Sequence, residues 1–399
     1  MSEEQHKTPL LDELEKGEWP SFVTQIKQMA KKNVMAKDLL GQLEQSYVEK
    51  ITHWKHGGLV GIQGYGAGVI GRYSNLADKF PGVAAFHTVR LHQPSGWFYT
   101  TAALNQVCEI WDKYGSGLLN MHGSTGDFVL LGAPTDNLED LFTDYLNAGW
   151  DLGGSSSDFR TPSCCNGMAR CENACYDTMA LNHDLSMSYQ DEIHRPAFPY
   201  KFKIKMSGCP NDCDASIARS DLAIIGTWKD DIQVDQAEMK AYAAAGFDIQ
   251  GEVIDLCPTQ CMKWDGSTLA INNSQCNRCI HCINLLPKAL SPGKERGATM
   301  LVGGKAPILE GAQLASVMVP FMKVEAPFTE VKEFIEKLWD VWGENGNNRE
   351  RIGEFILRVG LGNFVEAIEL EPDPNMVLHP RENPYIFYEE YIGDDDEEE

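Results

Sequence analysis

Twelve cysteines stand in the 399 residues, and eight of them fall into two sets whose spacing suits thiolate ligation. In "SQCNRCIHCINLLPKAL", Cys276, Cys279 and Cys282 repeat as C-x2-C-x2-C. A loop of that period wraps three corners of an iron-sulfur cubane, and the fourth comes from a remote cysteine followed by proline. "DLCPTQCM" supplies Cys257 and Pro258. Where a two-cluster ferredoxin would carry another Cys-Pro, the chain has Leu286 and Pro287, so this segment implies one 4Fe-4S cluster. A four-cysteine zinc site would usually present two separated C-x2-C pairs, which these three closely spaced cysteines match poorly. Cys261 is left over, as a small buried residue or an unused thiol.

A second constellation opens in "FRTPSCCNGMARCENACYD", where Cys165 and Cys171 are spaced C-x5-C, and closes in "SGCPNDCDAS", where Cys209 and Cys213 are spaced C-x3-C. Two pairs on two loops can enclose a second cubane. Cys164 and Cys175 lie close enough to compete with Cys165 and Cys171, and spacing alone leaves that choice open. The C-x5-C and C-x3-C arrangement, with its "GCPN" opening, resembles the siroheme sulfite and nitrite reductase family. The ferredoxin-like insert makes the similarity strongest to the alpha subunits of dissimilatory sulfite reductases. The resemblance implies that Cys213 bridges the second cluster to a siroheme, or to its iron-free form. It also implies an oxidoreductase that takes sulfite to sulfide or runs the reverse, with the ferredoxin-type cluster delivering electrons. A non-catalytic electron-transfer or scaffold subunit with an idle tetrapyrrole is the alternative the cysteine spacing leaves open. Assimilatory sulfite and nitrite reductases resemble two tandem copies of this module without the insert.

Such a site must hold an anion and a ring of carboxylates inside a protein of formal net charge -24. Local loss of acid marks where that happens. Residues 79–108 contain no Asp or Glu but hold His87, Arg90 and His92; residues 193–211 contain none but hold Arg195, Lys201, Lys203 and Lys205. In "KFKIKM" the lysines alternate with Phe202, Ile204 and Met206, so a strand would face the ammonium groups one way and the apolar groups to the core. An edge strand guarded by lysine against aggregation fits the same pattern. Siroheme reductases hold the substrate oxygens with two arginines and two lysines, and the resemblance suggests Arg90, Arg160, Lys201 and Lys203 for those roles. Lys205 falls outside that set and is a candidate for a ring carboxylate. Arg72, Arg170 and Arg219 are further candidate ring contacts, and surface salt bridges explain each as well.

The elements that position these residues read as α+β: siroheme reductase-like α/β domains with an inserted 4Fe-4S ferredoxin-like domain. Residues 1–50 form an N-terminal helical segment, 51–235 the first part of the reductase core, 236–297 the insert, and 298–399 the remainder with an acidic tail, "DDDEEE" at 394–399. "ATMLVGG" resumes the strand pattern after the insert. Val331, Phe334, Ile335, Leu338 and Trp342 fall at helical spacing, with Gly343 placed to end the helix. "GYGAGVIG" at 64–71 has dinucleotide-binding spacing but no acidic residue at the required distance, and tight turns beside a flat ligand are its expected use.

Acidic balance disfavours nucleic acid. No apolar run suggests a membrane span or secretory signal, so a cytoplasmic location is expected. The family resemblance adds partners: a homologous beta subunit in an α2β2 assembly, sulfite, and an electron donor or sulfur-carrier protein. Tandem-copy relatives divide substrate cations and cluster cysteines between their halves, so the cations here are expected to reach a siroheme held by the partner.

Overall fold

Short β-prone runs alternate with amphipathic helices along the chain, and in the computed structural model they gather into two compact units. One comprises Met1–Ser163 with Leu185–Lys201; the other comprises Cys164–Asp184 with Phe202–Glu399. The structure describes residues 6–17, 20–92, 97–122, 126–305 and 312–373; the acidic run at 394–399 lies outside the described residues.

In the first unit, five antiparallel strands run in the order Trp54–Leu59, Val69–Ser74, His87–Leu91, Phe128–Ala133, Leu118–Met121. Alternating side chains give the sheet two apolar faces. Val89, Leu91 and Leu130 pack with Val107 and Trp111 of helix Thr101–Tyr114 and with Leu141 and Tyr145 of helix Leu138–Asn147. Leu131 and Phe86 pack instead with Val23 and Ile26 of helix Phe22–Ala30 and with Leu39 and Leu40 of helix Val34–Glu49. The glycine-rich "GYGAGVIG" runs into strand Val69–Ser74, not into a helix, so it offers no helix N-terminus for a pyrophosphate. Its glycines allow close packing: a Cβ on Gly71 would stand 3.1 Å from the backbone of Gly57 on the neighbouring strand.

In the second unit, the sheet holds Ser316–Met322, Arg296–Val302, Leu222–Trp228 and Ile204–Ser207 as successive neighbours. Ile204–Ser207 is parallel to Leu222–Trp228, so the chain must cross over between them. That crossover carries Cys209, Cys213 and the short helix Ser216–Arg219. Trp228 and Arg296 face each other in the antiparallel register, so residues 229–295 leave one strand and return on its neighbour. Within them lie helices Gln236–Ala244 and His281–Leu285, the hairpin Met262–Trp264 with Leu269–Ile271, and a core of Met239, Val253, Met262 and Ile283.

Helix Thr329–Asn345 buries Val331, Phe334, Ile335, Leu338 and Trp342 as the periodicity predicts, and Trp339 too. It does not end at Gly343. An interior glycine costs a helix only about 1 kcal/mol, and buried Trp342, whose ring N–H donates to Glu350 O, holds the last turn until Gly346.

Candidate functional site

The C-x5-C and C-x3-C loops are joined by backbone. Cys165 N donates to Met206 O at 3.0 Å, Cys175 N to Gly208 O at 2.7 Å, and Gly208 N to Cys165 Sγ at 3.1 Å. Cys164 and Cys165 are neighbours in extended chain and so turn to opposite sides. Cys164 is buried, and burial pushes its thiol up to about 12 although the Asn182 side chain pulls it down. Cys175 is also buried and pushed up to about 12, and its Sγ donates to Asn173 O at 3.5 Å. Cys209, raised to about 11 by burial first, also feels Cys171, Cys213 and Cys165. Cys213 is raised by burial and then by Cys165 and Cys171. Cys164 and Cys175 are buried, whereas Cys165 and Cys171 are half-buried and Cys213 is exposed.

The crossover loop is braced from within. Asp212, at φ 45°, accepts from Ser207 Oγ at 2.7 Å and from Ser216 N at 2.8 Å, which holds the turn around Cys213. Lys205 does not stand with an exposed row of ammonium groups. It is 1% exposed, and its Nζ donates to Asp214 Oδ1 at 3.0 Å, a contact that ties the strand to the residue after Cys213. The regular strand begins only at Ile204, beyond Lys201 and Lys203. Lys203 is half-buried, and its N–H donates to Asp221 Oδ2 at 2.8 Å. Asp221 is itself gripped at 2.6 and 2.7 Å by the buried guanidinium of Arg351. Arg170 and Arg219 are exposed.

In the insert, Cys257, Cys276, Cys279 and Cys282 line one cavity, and Cys261 lines it with them. Arg278 and Ile280 sit in the left-handed region at φ 57° and 66°, which lets the C-x2-C-x2-C loop curl around that space. Four of these thiols, Cys257, Cys276, Cys279 and Cys282, make a donor set of the kind a cubane takes. Cys175 and Cys209 share one buried cluster with Cys257, Cys261 and Cys282. Asn284, two residues after Cys282, accepts from Asn173 at 3.2 Å and exchanges hydrogen bonds with Asn211 at 3.1 and 2.7 Å. One amide therefore touches both loops of the second cysteine set.

Arg90, Arg160 and Lys201 belong to the first unit. Arg90 Nη1 pairs with Asp127 Oδ2 at 2.9 Å; Arg160 Nε lies 3.2 Å from Asp158 Oδ1, and its Nη1 donates to Gly154 O. Burial pushes Asp158 up and Arg160 down, each against the pull of the other. Lys201 Nζ stands 4.9 Å from the centre of the Tyr200 ring. Arg72 is half-buried in its strand. The two histidines of the acid-free window add no charge near neutral pH: burial lowers His87, and burial with His194 lowers His92 to about 3. The carboxylates that hold the cations, Asp127, Asp158, Asp214 and Asp221, carry no motif of their own. Only Asp158, two residues before Arg160, and Asp214, beside Cys213, lie close in sequence to the predicted site residues.

The model of the nitrite and sulphite reductase 4Fe-4S domain matches residues 155–374, and that of the nitrite/sulfite reductase ferredoxin-like half domain matches residues 82–147. The chain is 55% identical to the alpha subunit of dissimilatory-type sulfite reductase from Nitratidesulfovibrio vulgaris, over 96% of this chain and 95% of that one. The chain belongs to the dissimilatory sulfite reductase alpha-subunit family. A family member from Allochromatium vinosum is 47% identical over 97% of this chain and 95% of its own. The crystal structure of dissimilatory sulfite reductase I superimposes with a TM-score of 0.90 at 52% identity, covering 99% of this chain and 97% of that one. The family's cofactors are a siroheme and a 4Fe-4S cluster. Four thiols from two loops, with Gly208 N–H already aimed at one sulfur, fit such a cluster. Among the described residues no helix is long and apolar enough to cross a membrane.

Proposed function

We propose that this chain is the alpha subunit of a dissimilatory sulfite reductase that binds two 4Fe-4S clusters and a siroheme, and that it works beside a homologous beta subunit as α2β2. The observation that carries the reading is the pair of cysteine sets in one unit, sharing a buried cluster and joined through Asn284. A beta subunit of the same enzyme type, from Archaeoglobus fulgidus, is 25% identical to this chain over 81% of it, which supports a partner built on the same module.

When bound, the siroheme and its adjoining cluster supply the electrons and the iron site for reducing sulfite to sulfide. The protein's own groups supply charge, position and protons. Arg90 and Arg160, each steadied by a buried carboxylate, keep guanidinium N–H groups in fixed directions, and a guanidinium has donors enough to hold both a carboxylate and an anion. Lys201 and Lys203 carry ammonium protons that can stabilise a developing oxyanion and pass to a departing oxygen. Asp221 fixes the Lys203 backbone and so aims that side chain. Cys165, Cys171, Cys209 and Cys213 hold the cluster that adjoins the siroheme, and Cys257, Cys276, Cys279 and Cys282 hold the one that receives electrons from a donor. Lys205 acts as a brace for the Cys213 loop through Asp214.

The test uses the chain purified with its partner. Cys213→Ser should disturb the tetrapyrrole spectrum and one cluster, and Cys279→Ser should remove the other cluster alone. Lys203→Ala should lower sulfite turnover by about 100-fold while this chain's cofactor content stays intact. Full turnover in Lys203→Ala would reject the substrate role, and a scaffold subunit with an idle tetrapyrrole predicts that result. Sulfite reduction by the isolated monomer would reject the shared assembly.

A further inference from the structure

A cubane takes four thiolates, and the insert brings five sulfurs to one cavity. Cys257, Cys261, Cys276, Cys279 and Cys282 all line it. Cys257 and Cys261 are both buried, and their Sγ atoms lie 3.7 Å apart, close to van der Waals contact. The turn between them is held by Gln260 N donating to Cys257 O at 3.0 Å and by Asn272 N donating to Cys261 O at 2.7 Å, with Gln260 at φ 49°. A buried cysteine facing only apolar neighbours would be an inert filler. Cys261 instead faces the sulfur that holds the fourth corner of the proposed cluster.

We propose that Cys261 is a reserve ligand of the insert's cluster, able to take the corner held by Cys257. The inference rests on the two-cluster reading above. In the exchange, the iron bond to Cys257 Sγ breaks and that thiolate takes up a proton, while Cys261 gives up its thiol proton and forms the new iron-sulfur bond. No electron is gained or lost. Because the two sulfurs are in contact, the swap needs a side-chain rotation and a small adjustment of the turn. Among the described residues the sulfur contact in this cavity is that between Cys257 and Cys261, so the exchange is assigned to the Cys257 corner and not to those of Cys276, Cys279 and Cys282.

The experiment compares Cys257→Ala, Cys261→Ala, the double variant and Cys279→Ala, each purified without oxygen as the complex with the partner subunit. Readouts are iron, acid-labile sulfide and the electron paramagnetic resonance of the reduced clusters. Cys257→Ala and Cys261→Ala are expected to keep the parent's iron content. Cys257→Ala alone should show an altered resonance for the insert's cluster, as a different thiolate now binds it. The double variant and Cys279→Ala should each lose that signal completely and keep the signal of the other cluster, which reports that the chain is folded. Loss of the insert's signal in Cys257→Ala overturns the inference and leaves the two-cluster reading standing. Absence of that signal in the parent overturns both.

Discussion

Gly226 tests whether backbone packing, and not the cysteines alone, builds the second cluster site. It lies in strand Leu222–Trp228 beside the turn that opens the Cys209 loop. A Cβ added there would stand 2.0 Å from Gly208 O, 2.4 Å from Gly208 C and 2.9 Å from Cys209 N. All three are backbone atoms, so no side chain can swing aside. Gly226 cannot retreat either, because its other edge is paired with Ala298 of strand Arg296–Val302. Gly226→Ala must therefore move the Gly208–Cys209 peptide by about 1 Å to reach a tolerable contact, at a cost of roughly 1–3 kcal/mol. That peptide accepts from Cys175 N through Gly208 O, and the N–H of Gly208, in the peptide just before it, donates to Cys165 Sγ. Ligand sets tolerate displacements of only about 0.5 Å. The expected outcome is loss of the cluster bound by Cys165, Cys171, Cys209 and Cys213, with disturbed siroheme absorption and an intact cluster in the insert. Iron and sulfide analysis with visible and paramagnetic resonance spectra of the partner-bound chain provides the assay. Gly343→Ala is the control: nothing lies within 4 Å of its added Cβ, and it should be neutral or stabilising by about 0.5–1 kcal/mol. Full cofactor content with unchanged spectra in Gly226→Ala would refute the reasoning.

Asp221→Asn should lower stability by about 3–5 kcal/mol, because it leaves the Arg351 guanidinium buried without its carboxylate. Asp221→Leu combined with Arg351→Met should cost less than the single change when urea midpoints are compared, and an equal or larger cost would show that the pair is not desolvated. The His92 imidazole, lowered by burial to about 3 against an ordinary 6.5, binds its proton more readily in the unfolded chain. Its contribution is therefore present above pH 6.5 and is lost as pH falls towards 3, by roughly 2 kcal/mol at pH 5. His92→Asn should flatten the fall in urea midpoint between pH 6.5 and 5, and an unchanged slope would remove this histidine from the account.

Much of the candidate site was legible because cluster ligation is local. Three of the cysteines proposed for the insert's cubane sit on one short loop, and the "GCPN" pair keeps two candidate sulfurs of the other site close in sequence, so spacing suggests the chemistry before any folding is known. Helical periodicity likewise exposed the buried stripe of Thr329–Asn345, since the face that packs is set by the residue period. Which of Cys164 and Cys165 is the more buried depends on which side of the chain meets the core, and no spacing rule contains that. The lysine row misled for a related reason. Alternation described how Lys201, Lys203 and Lys205 could point, but burial of Lys205 was settled by Asp214 on the far side of the cluster loop. Arg90 required Asp127, just before the neighbouring strand Phe128–Ala133, and Lys203 required Asp221 held by Arg351, 130 residues further on. His87 and His92 read as cations in sequence and became neutral only through burial. Residue type and spacing thus determined which atoms could bind metal and anion; the charge, direction and rigidity of those atoms came from distant partners and lost solvent, which only the tertiary structure brings about.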